Sequence, residues 1–347
     1  MFLSKLRATM LCLLLLLKGS GVLATPVNNA SYATLLSRAG TYTNPLNTAK
    51  GADPCMRYIN GWYYLTSTQN TNIAMKRSTT VNGLKNATLS TLFTDSTAGR
   101  NFHFWAPEFW YLNGRWHIYY AVAGNNDDGT HRMHVLQGGT DSSNPMNGAY
   151  SYVGPLIPPN RDAWAVDGTI LTLSGVNYMV FSSFDGDDQC LWIVRMASPT
   201  ATSGNAVIIS RPTYDWEKVG LNVNEGPEVI QTGGVTRIVF SASYCGGDGY
   251  SLGLLTLMGT DPMVASSWEK YNQPLFGTNA ANNVYGPGHH FMFQVNNAWY
   301  FAYHAKSGSG QSCGDTRTTR VQPFSIVSNR PVFPTAAALS TTIVEPV

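Results

Sequence analysis

The chain has 347 residues, of which 44% are hydrophobic and 12% are charged, and it contains 33 glycines and 18 prolines. So few charges and so many turn-forming residues exclude coiled coils and long disordered tails, and favour a globular protein of many short β-strands. The formal net charge is only +2, which gives no electrostatic reason to expect binding to nucleic acid or to a membrane surface.

The first 24 residues have the pattern of a secretory signal peptide. Basic residues in the first seven positions precede an apolar run from Ala8 to Leu17, and small residues allow cleavage after Ala24. The run is too short to span a bilayer. Removal of this leader would leave 19 basic against 20 acidic residues. We therefore expect a secreted, extracellular protein whose mature chain is 25–347.

Cysteines and glycosylation signals agree with export. Beyond the leader the chain has four cysteines, namely Cys55, Cys190, Cys245 and Cys313. Four cysteines allow two disulfides in three connectivities, although in a chain of this length all four could also stay unpaired. Asn29 and Asn86 each begin an Asn-X-Ser/Thr sequence, which predicts a eukaryotic glycoprotein.

Five segments repeat one plan of an apolar strand, a tight turn, an aromatic-rich strand, a loop and a third strand. The turns are expected at 60–61, 113–114, 174–175, 233–234 and 296–297. The second strands follow as WYYLTS, RWHIYYAVA, NYMVFSSF, RIVFSASY and WYFAYHA. A weaker fourth strand is expected near Tyr152, Trp216 and Trp268.

Antiparallel units that recur at roughly 50 to 65 residues without helical periodicity predict propeller blades. We therefore predict an all-β fold, a five-bladed β-propeller that forms a single domain. A β-sandwich is the alternative, but it has no reason to repeat one motif five times. Cys245 and Cys313 would lie in corresponding loops of blades four and five, which predicts a disulfide between them.

Counting back seven or eight residues from each turn selects one position at the start of each innermost strand. These positions are Asp53, Ala106, Asp167, Glu225 and His289. Innermost strands line the channel of a propeller, so the five positions should form a ring. Three carboxylates without lysine partners predict a functional site, because buried like charges are unfavourable in ordinary packing. Such a set suits glycoside hydrolysis, which needs an acid and a base.

Six motifs occur in order between about residues 50 and 325. They read GADPCMRYINGWYYLTST, HFWAPEFWYLNGRWHIYYAVA, AVDGTILTL, NEGPEVI, YGPGHH and TRTTRVQPF. Together they resemble glycoside hydrolase family 43, a family of five-bladed propellers with an inverting mechanism. The resemblance implies that Asp53 is the general base, Asp167 the modulator of the acid's pKa and Glu225 the general acid.

Nearby carboxylates compete with these assignments. Glu228 lies three residues after Glu225, but the family places the acid directly before Gly-Pro, which favours Glu225. Glu108 is expected to be structural. The aspartates of two polar loops are expected to be solvated, namely Asp127, Asp128, Asp185, Asp187 and Asp188.

Three further residues are candidates for binding. Trp105 could stack on a sugar ring or belong to the core with equal weight. The resemblance implies that Arg317 reaches the sugar pocket, with Arg320 as the alternative. It also implies that His289 binds a structural calcium ion, although calcium prefers oxygen ligands, so a hydrogen-bonded structural histidine is the alternative. The chemistry itself requires no cofactor.

The sequence therefore predicts a monomeric hydrolase of plant cell-wall polysaccharides, an exo-acting α-L-arabinofuranosidase on α-1,5-arabinan or arabino-oligosaccharides, with arabinoxylan as a further candidate substrate. Few residues follow the fifth repeat, so no second domain is expected, which favours arabinan-type members. Long loops at 124–130, 185–189 and 307–315 would block one end of the cleft. The alternatives are an endo-arabinanase, a β-xylosidase and a non-catalytic sugar-binding lectin.

Overall fold

Five antiparallel sheets of four strands follow one another along the chain, and in each sheet the strands lie side by side in sequence order. The structure is a computed structural model that describes residues 40–346. The first strand of each sheet contacts the first strands of the two neighbouring sheets, and the fifth sheet contacts the first. This closed ring is a five-bladed β-propeller, which confirms the predicted fold class. The predicted signal peptide and Asn29 lie outside the described residues.

Each blade begins with its innermost strand and ends with its outermost. Blade one has β2 Cys55–Ile59, β3 Trp62–Thr66, β4 Ile73–Ser78 and β5 Ser90–Phe93. Blade two has β6 Phe102–Leu112, β7 Arg115–Gly124, β8 Asp127–Gln137 and β9 Ser151–Pro155. Blade three has β10 Val166–Leu173, β11 Val176–Asp185, β12 Asp188–Ser198 and β13 Ala201–Ser210. Blade four has β14 Asn224–Thr232, β15 Val235–Ala242, β16 Ser251–Leu257 and β17 Trp268–Lys270. Blade five has β18 Tyr285–Val295, β19 Ala298–Lys306, β20 Thr318–Val327 and β21 Arg330–Val332.

Short elements complete the described part of the chain. A small sheet pairs β1 Thr41–Tyr42 with β22 Ile343–Val344. Four 3₁₀ helices lie in connections, at Asn82–Asn86, Asp215–Glu217, Ala265–Ser267 and Ala280–Asn282. Among the residues described, no helix is long and apolar enough to cross a membrane.

The turn between the first two strands lies at the predicted position in all five blades. In blade one, Asn60 and Gly61 both have positive φ, +47° and +81°. This backbone matches the right-handed twist of a hairpin, and Asn-Gly adopts it readily. Each turn therefore fixes the register of its hairpin. The start of the first strand then lies at the end of the channel opposite to the turn.

Two details of the sequence prediction are wrong. Trp216 lies in a 3₁₀ helix between blades rather than in a strand, since the Glu217 carboxylate accepts hydrogen bonds from the backbone amides of Thr213 and Tyr214 and so holds a turn there. The segments 124–130 and 185–189 are not long loops, because β7 and β8, and likewise β11 and β12, are joined by tight two-residue turns. Only 307–315 lies in a long loop, between β19 and β20.

The predicted disulfide is confirmed. Cys245 and Cys313 are bonded, with their Cα atoms 5.3 Å apart. Cys55 and Cys190 are free thiols buried inside blades one and three. The bond joins a loop of blade four to a loop of blade five.

Candidate active site

A left-handed residue stands at the same place in every blade, seven residues before the turn. These residues are Asp53, Ala106, Asp167, Gly226 and His289, with φ between +43° and +60°. Positive φ is uncommon outside glycine and concentrates at functional sites. In blades two to five the pairing register also shifts at this point, as in a β-bulge. In blade four the glycine takes the left-handed position, so that Glu225 comes one residue earlier.

Asp53 is held by residues from blades one and five. Its Oδ1 accepts a hydrogen bond from Arg317 Nη1 at 3.0 Å and lies 3.3 Å from Nδ1 of both His289 and His304. Its Oδ2 accepts a 2.6 Å hydrogen bond from the Thr68 hydroxyl. Burial acts to raise the pKa of Asp53, but the Arg317 guanidinium and the two histidines more than offset it, so this pKa lies well below its usual range.

Glu225 has neutral partners instead. Tyr250 donates its hydroxyl to Oε1 at 2.7 Å, and Gln189 donates its side-chain amide to Oε2 at 2.9 Å. Burial and the neighbouring charge of Asp167 raise the pKa of Glu225 to about 7. The Glu225 carboxyl group therefore holds its proton at pH values where an exposed glutamate has lost it.

Asp167 interacts electrostatically with both of the other carboxyl groups. Its Oδ2 accepts a hydrogen bond from the Gly226 amide at 3.0 Å and lies 3.9 Å from His289 Nδ1. Burial, followed by the charge of Asp53, raises the pKa of Asp167 to about 7. Asp53 thus differs in protonation from Asp167 and Glu225 because its partners differ from theirs.

The three carboxyl groups open into one pocket of about 410 Å³. Trp105 and Trp164 form part of its wall, as does the Cys245–Cys313 disulfide. The indole of Trp105 donates to Asn70 Oδ1 at 3.0 Å and stacks on the His131 ring at 3.9 Å between centroids. Its orientation is therefore fixed at the pocket wall.

The structure separates the sequence candidates from their rivals. Arg317 contacts Asp53, whereas Arg320 is fully buried and bonds to Ser307 and the Lys306 carbonyl. Glu225 lines the pocket, and Glu228 does not. The aspartates of the two hairpins do not line the pocket either, namely Asp127, Asp128, Asp185, Asp187 and Asp188.

Glu108 and Glu228 form a second acidic layer in the channel, two residues further along their strands than the left-handed positions. Thr169, at the same level of blade three, donates its hydroxyl to Glu228 at 3.3 Å. Burial raises the pKa of Glu108 to about 7. Burial and the charge of Glu108 raise that of Glu228 well above its usual range.

Sequence reasoning missed four residues that contact the carboxyl groups, namely Thr68, Gln189, Tyr250 and His304. Gln189 lies on β12 and His304 on β19, while Thr68 follows β3 and Tyr250 precedes β16, so all four are outside the first strands on which the ring was counted. A usable signal existed for Thr68, which comes two residues after the aromatic-rich strand β3, and for His304, which lies within the aromatic-rich strand β19. Gln189 reaches Glu225 from the neighbouring blade three, and Tyr250 reaches it from beside the third strand of blade four, so both contacts depend on the tertiary structure.

A family model for glycosyl hydrolases family 43 matches residues 42–330. The chain belongs to this family. The resemblance that the six motifs indicated is therefore confirmed, and it covers all five blades.

Family members with assigned activities are similar over most of this chain. An extracellular exo-α-(1→5)-L-arabinofuranosidase of Streptomyces avermitilis is 37% identical over 257 residues, which are 72% of this chain and 52% of the relative. An α-L-arabinofuranosidase 43 of Humicola insolens is 35% identical and is covered over 53% of its length. The chain thus matches about half the length of these two relatives. An extracellular exo-α-(1→5)-L-arabinofuranosidase of Streptomyces chartreusis is 32% identical, over 79% of this chain and 85% of that one.

The crystal structure of an α-L-arabinofuranosidase from Lactobacillus brevis has the same architecture. It superimposes with a TM-score of 0.79 at 29% identity, over 86% of this chain and 98% of that protein.

The calcium ion that the family resemblance implied can be compared with the donors present. One group of three candidate ligands lies within 4.8 Å in the described residues, formed by Asp167, Glu225 and His289. Calcium takes six to eight oxygen ligands, whereas this group offers one nitrogen and two carboxyl groups whose pKa values are raised to about 7. His289 Nδ1 already faces Asp53 at 3.3 Å. The protein side chains alone are a poor match for calcium.

Proposed function

We propose that this chain is a secreted, inverting glycoside hydrolase, an exo-acting α-L-arabinofuranosidase that releases L-arabinose from α-1,5-linked arabinan or arabino-oligosaccharides. The observation that carries the proposal is the contrast between Asp53, whose pKa is depressed, and Glu225, whose pKa is raised to about 7, in one pocket. The identity of the released sugar, L-arabinose, is proposed from the names of the relatives. No feature of the site favours a non-catalytic lectin.

Asp53 is the general base in this proposal and Glu225 the general acid. The ionised Asp53 carboxylate takes a proton from water as the water oxygen attacks the anomeric carbon from one face. On the other face, protonated Glu225 gives its proton to the glycosidic oxygen as the bond to that oxygen breaks. Exchange with solvent then returns both groups to their starting states. The chemistry uses carboxyl groups and water and needs no cofactor.

The remaining site residues act on this pair or on the sugar. Asp167 holds the acid's proton in place, because its charge, when present, raises the pKa of Glu225. Arg317 keeps Asp53 ionised and reaches into the sugar pocket. Trp105 offers an indole face for a sugar ring, as aromatic side chains at such pockets do.

Exo action is proposed from the size of the pocket. A pocket of about 410 Å³ accommodates a terminal sugar, whereas endo cleavage needs a groove open at both ends. The loop 307–317 of blade five supplies part of the wall. An endo-arabinanase or a β-xylosidase would use the same three carboxyl groups, so the products distinguish these activities.

The early products from linear α-1,5-arabinan test the proposal. Arabinose alone from the first minutes is expected, and NMR should show the β-anomer first, because inversion at an α-linkage gives β. A ladder of oligosaccharides would indicate an endo-arabinanase. Xylose release from arabinoxylan or xylobiose that exceeds arabinose release would indicate a β-xylosidase. No sugar release from any of these substrates would refute the proposal.

Export is proposed from the leader pattern, and it agrees with the extracellular location that the names of two relatives give. Asn86 is exposed and is proposed to carry an N-linked glycan, in a monomeric protein acting on plant cell-wall polysaccharide. When the chain is expressed with residues 1–24 in a eukaryotic host, the protein should appear in the culture medium, and its N-terminal sequence should begin directly after Ala24. Treatment with an endoglycosidase should remove the Asn86 glycan and so lower the mass of the wild-type protein. The Asn86→Gln variant would have no glycan to lose at this position.

A structural calcium ion at His289 remains a prediction of the family resemblance. Bound metal would raise the melting temperature by mass action. An unchanged melting temperature and unchanged activity after dialysis against EDTA would assign His289 to hydrogen bonding with Asp53 instead.

A further inference from the structure

Two loops meet at the mouth of the pocket, and each leads to a residue that contacts a catalytic carboxyl group. The blade-four loop, residues 243–250, ends at Tyr250, which donates to Glu225. The blade-five loop, residues 307–317, ends at Arg317, which donates to Asp53. The Cys245–Cys313 disulfide joins the two loops, and both of its cysteines line the pocket.

A short series of contacts runs from the disulfide to the general base. Cys313 is followed by Gly314, whose carbonyl accepts hydrogen bonds from both the backbone amide and Nε of Arg317, at 3.3 and 3.4 Å. The same guanidinium donates through Nη1 to Asp53 at 3.0 Å. The position of the Gly314 carbonyl therefore helps to set the direction of the guanidinium.

Few other contacts hold this part of the blade-five loop, most of which is exposed. Among the described residues, the hydrogen bonds from 308–316 to other elements go to Asp248 alone, from Ser309 and Gly310. The blade-four side is held more firmly, because Lys306 donates to the carbonyls of Cys245 and Gly247 at 2.9 Å each. The disulfide thus ties a weakly held loop to a fixed one.

We infer that the Cys245–Cys313 disulfide is a positioning element of the active site, which holds Arg317 in the direction that serves Asp53 and the bound sugar. The inference rests on the proposed function, since it assigns a role within the same reaction. Cys245 and Cys313 do not touch the reacting atoms. They act through Arg317, and a disulfide that only strengthened the fold would leave catalysis by the folded protein unchanged.

The first measurement is kcat/KM on an α-1,5-arabino-oligosaccharide, at a temperature where every variant is folded. Replacing both cysteines, as Cys245→Ser with Cys313→Ser, should lower kcat/KM about tenfold, because small displacements of a positioning group reduce rates strongly. Treatment of the wild-type protein with the reductant TCEP should give the same loss and leave the double variant unchanged. Leu84→Ala is the stability control, since Leu84 is fully buried in blade one. This substitution should lower the melting temperature without changing kcat/KM.

A double-mutant cycle with Arg317→Lys identifies the route of the effect. If the disulfide acts through Arg317, its removal should change kcat/KM less than about twofold in the Arg317→Lys background, because coupled sites are not additive. Losses that multiply in the combined variant, or an unchanged kcat/KM in the disulfide variant alone, would overturn the inference.

Amide hydrogen exchange tests the same inference without substrate. Exchange in 307–317 should become faster in the disulfide variant, while exchange in the inner strand β14 stays unchanged. Equal exchange in 307–317 with and without the disulfide would overturn the inference even if the enzyme is active. If wild-type protein releases no sugar, the proposed function fails, and the exchange result still decides whether the disulfide holds the loop.

Discussion

The ring of carboxyl groups illustrates how partners divide chemically similar residues. Asp53 faces a guanidinium and two imidazoles, whereas Glu225 faces a phenol and an amide. A cationic partner stabilises the ionised form, and burial beside another carboxyl group stabilises the neutral form. An acid and a base can therefore coexist in one pocket at the same pH.

Replacing Glu225 by glutamine tests the acid role. The Glu225→Gln side chain would keep its shape but have no proton to give, so kcat on arabino-oligosaccharides should fall about 100-fold or more. The loss should be smaller on 4-nitrophenyl α-L-arabinofuranoside, whose leaving group needs little protonation. Glu228→Gln is the matched control and should keep its activity. Equal losses on both substrates would remove Glu225 from the acid role.

The second acidic layer makes a prediction about stability and pH. Burial and the charge of Glu108 raise the pKa of Glu228 in the folded protein, so this carboxyl group is neutral there at pH values where the unfolded chain has already lost the proton. The contribution of the Glu228 carboxyl group to the free energy of unfolding is therefore fully present below about pH 4. That contribution is lost as the pH rises through the raised pKa of Glu228 in the folded protein. Glu228→Gln should therefore stabilise the protein at pH 8 relative to pH 5.

The measurement is the difference in free energy of unfolding between Glu228→Gln and wild type at the two pH values. Glu269→Gln, at an exposed glutamate, is the control and should show the same difference at both. A Glu228→Gln variant that loses stability equally at pH 5 and pH 8 would contradict the neutral state of Glu228.

At the scale of the strand, the five blades share a fixed spacing between the left-handed residue and the turn, and this spacing can be read from the sequence. Each first strand places its left-handed residue seven positions before the turn, so counting from turns locates Asp53, Asp167 and His289 correctly. In blade four a count of seven selects Gly226, and a count of eight is needed to reach Glu225, which the motif resemblance also selects. Local spacing therefore predicts the ring, but contacts such as Tyr250 on Glu225 depend on how separate strands of one blade meet, and hydrophobic patterning does not encode that distance.

The hairpin turns show a second limit of the sequence. The polar segments 124–130 and 185–189 look like loops because their side chains are hydrophilic. Their backbones nevertheless continue the strands, with turns at Asn125–Asn126 and Gly186–Asp187. Polarity reports solvent exposure of the side chains, whereas strand pairing satisfies the backbone. These two properties separate at exposed strand ends.

Gly226→Ala should reduce both stability and activity. Gly226 has a φ of +51°, and an added Cβ would lie 3.2 Å from Cγ of His289. The left-handed backbone alone should cost about 1–2 kcal/mol, and a shift of His289 would disturb Asp53. Gly234→Ala is the control, because φ there is +76° and nothing lies near its Cβ. It should lose similar stability and keep its kcat, and equal kcat in both variants would contradict the role of Gly226 at the ring.

At the scale of the whole molecule, a propeller is stable only when its first and last blades hold together. Each blade here is formed by consecutive strands, so within residues 40–346 no strand is exchanged between blades to lock the ring. The segment before blade one supplies the connection instead. Leu46 donates its amide to the Thr319 carbonyl at 2.8 Å, and β1 pairs with β22 near the other end of the described chain.

Within this connection, replacing Asn44 should lower the free energy of unfolding most. Its buried side chain donates to the Val321 carbonyl at 3.0 Å and accepts from the Val321 amide at 2.9 Å. Asn44→Ala would leave the buried Val321 amide without a partner, and the Val321 carbonyl would keep only the Tyr42 hydroxyl at 3.3 Å. The loss should lower the free energy of unfolding by about 1–3 kcal/mol. Because the ring closes through this contact, the whole melting transition should move to lower temperature as one step. Asn101→Ala, at an exposed asparagine, should leave it in place. A separate early transition for blade five alone would instead mean that the ring does not unfold cooperatively.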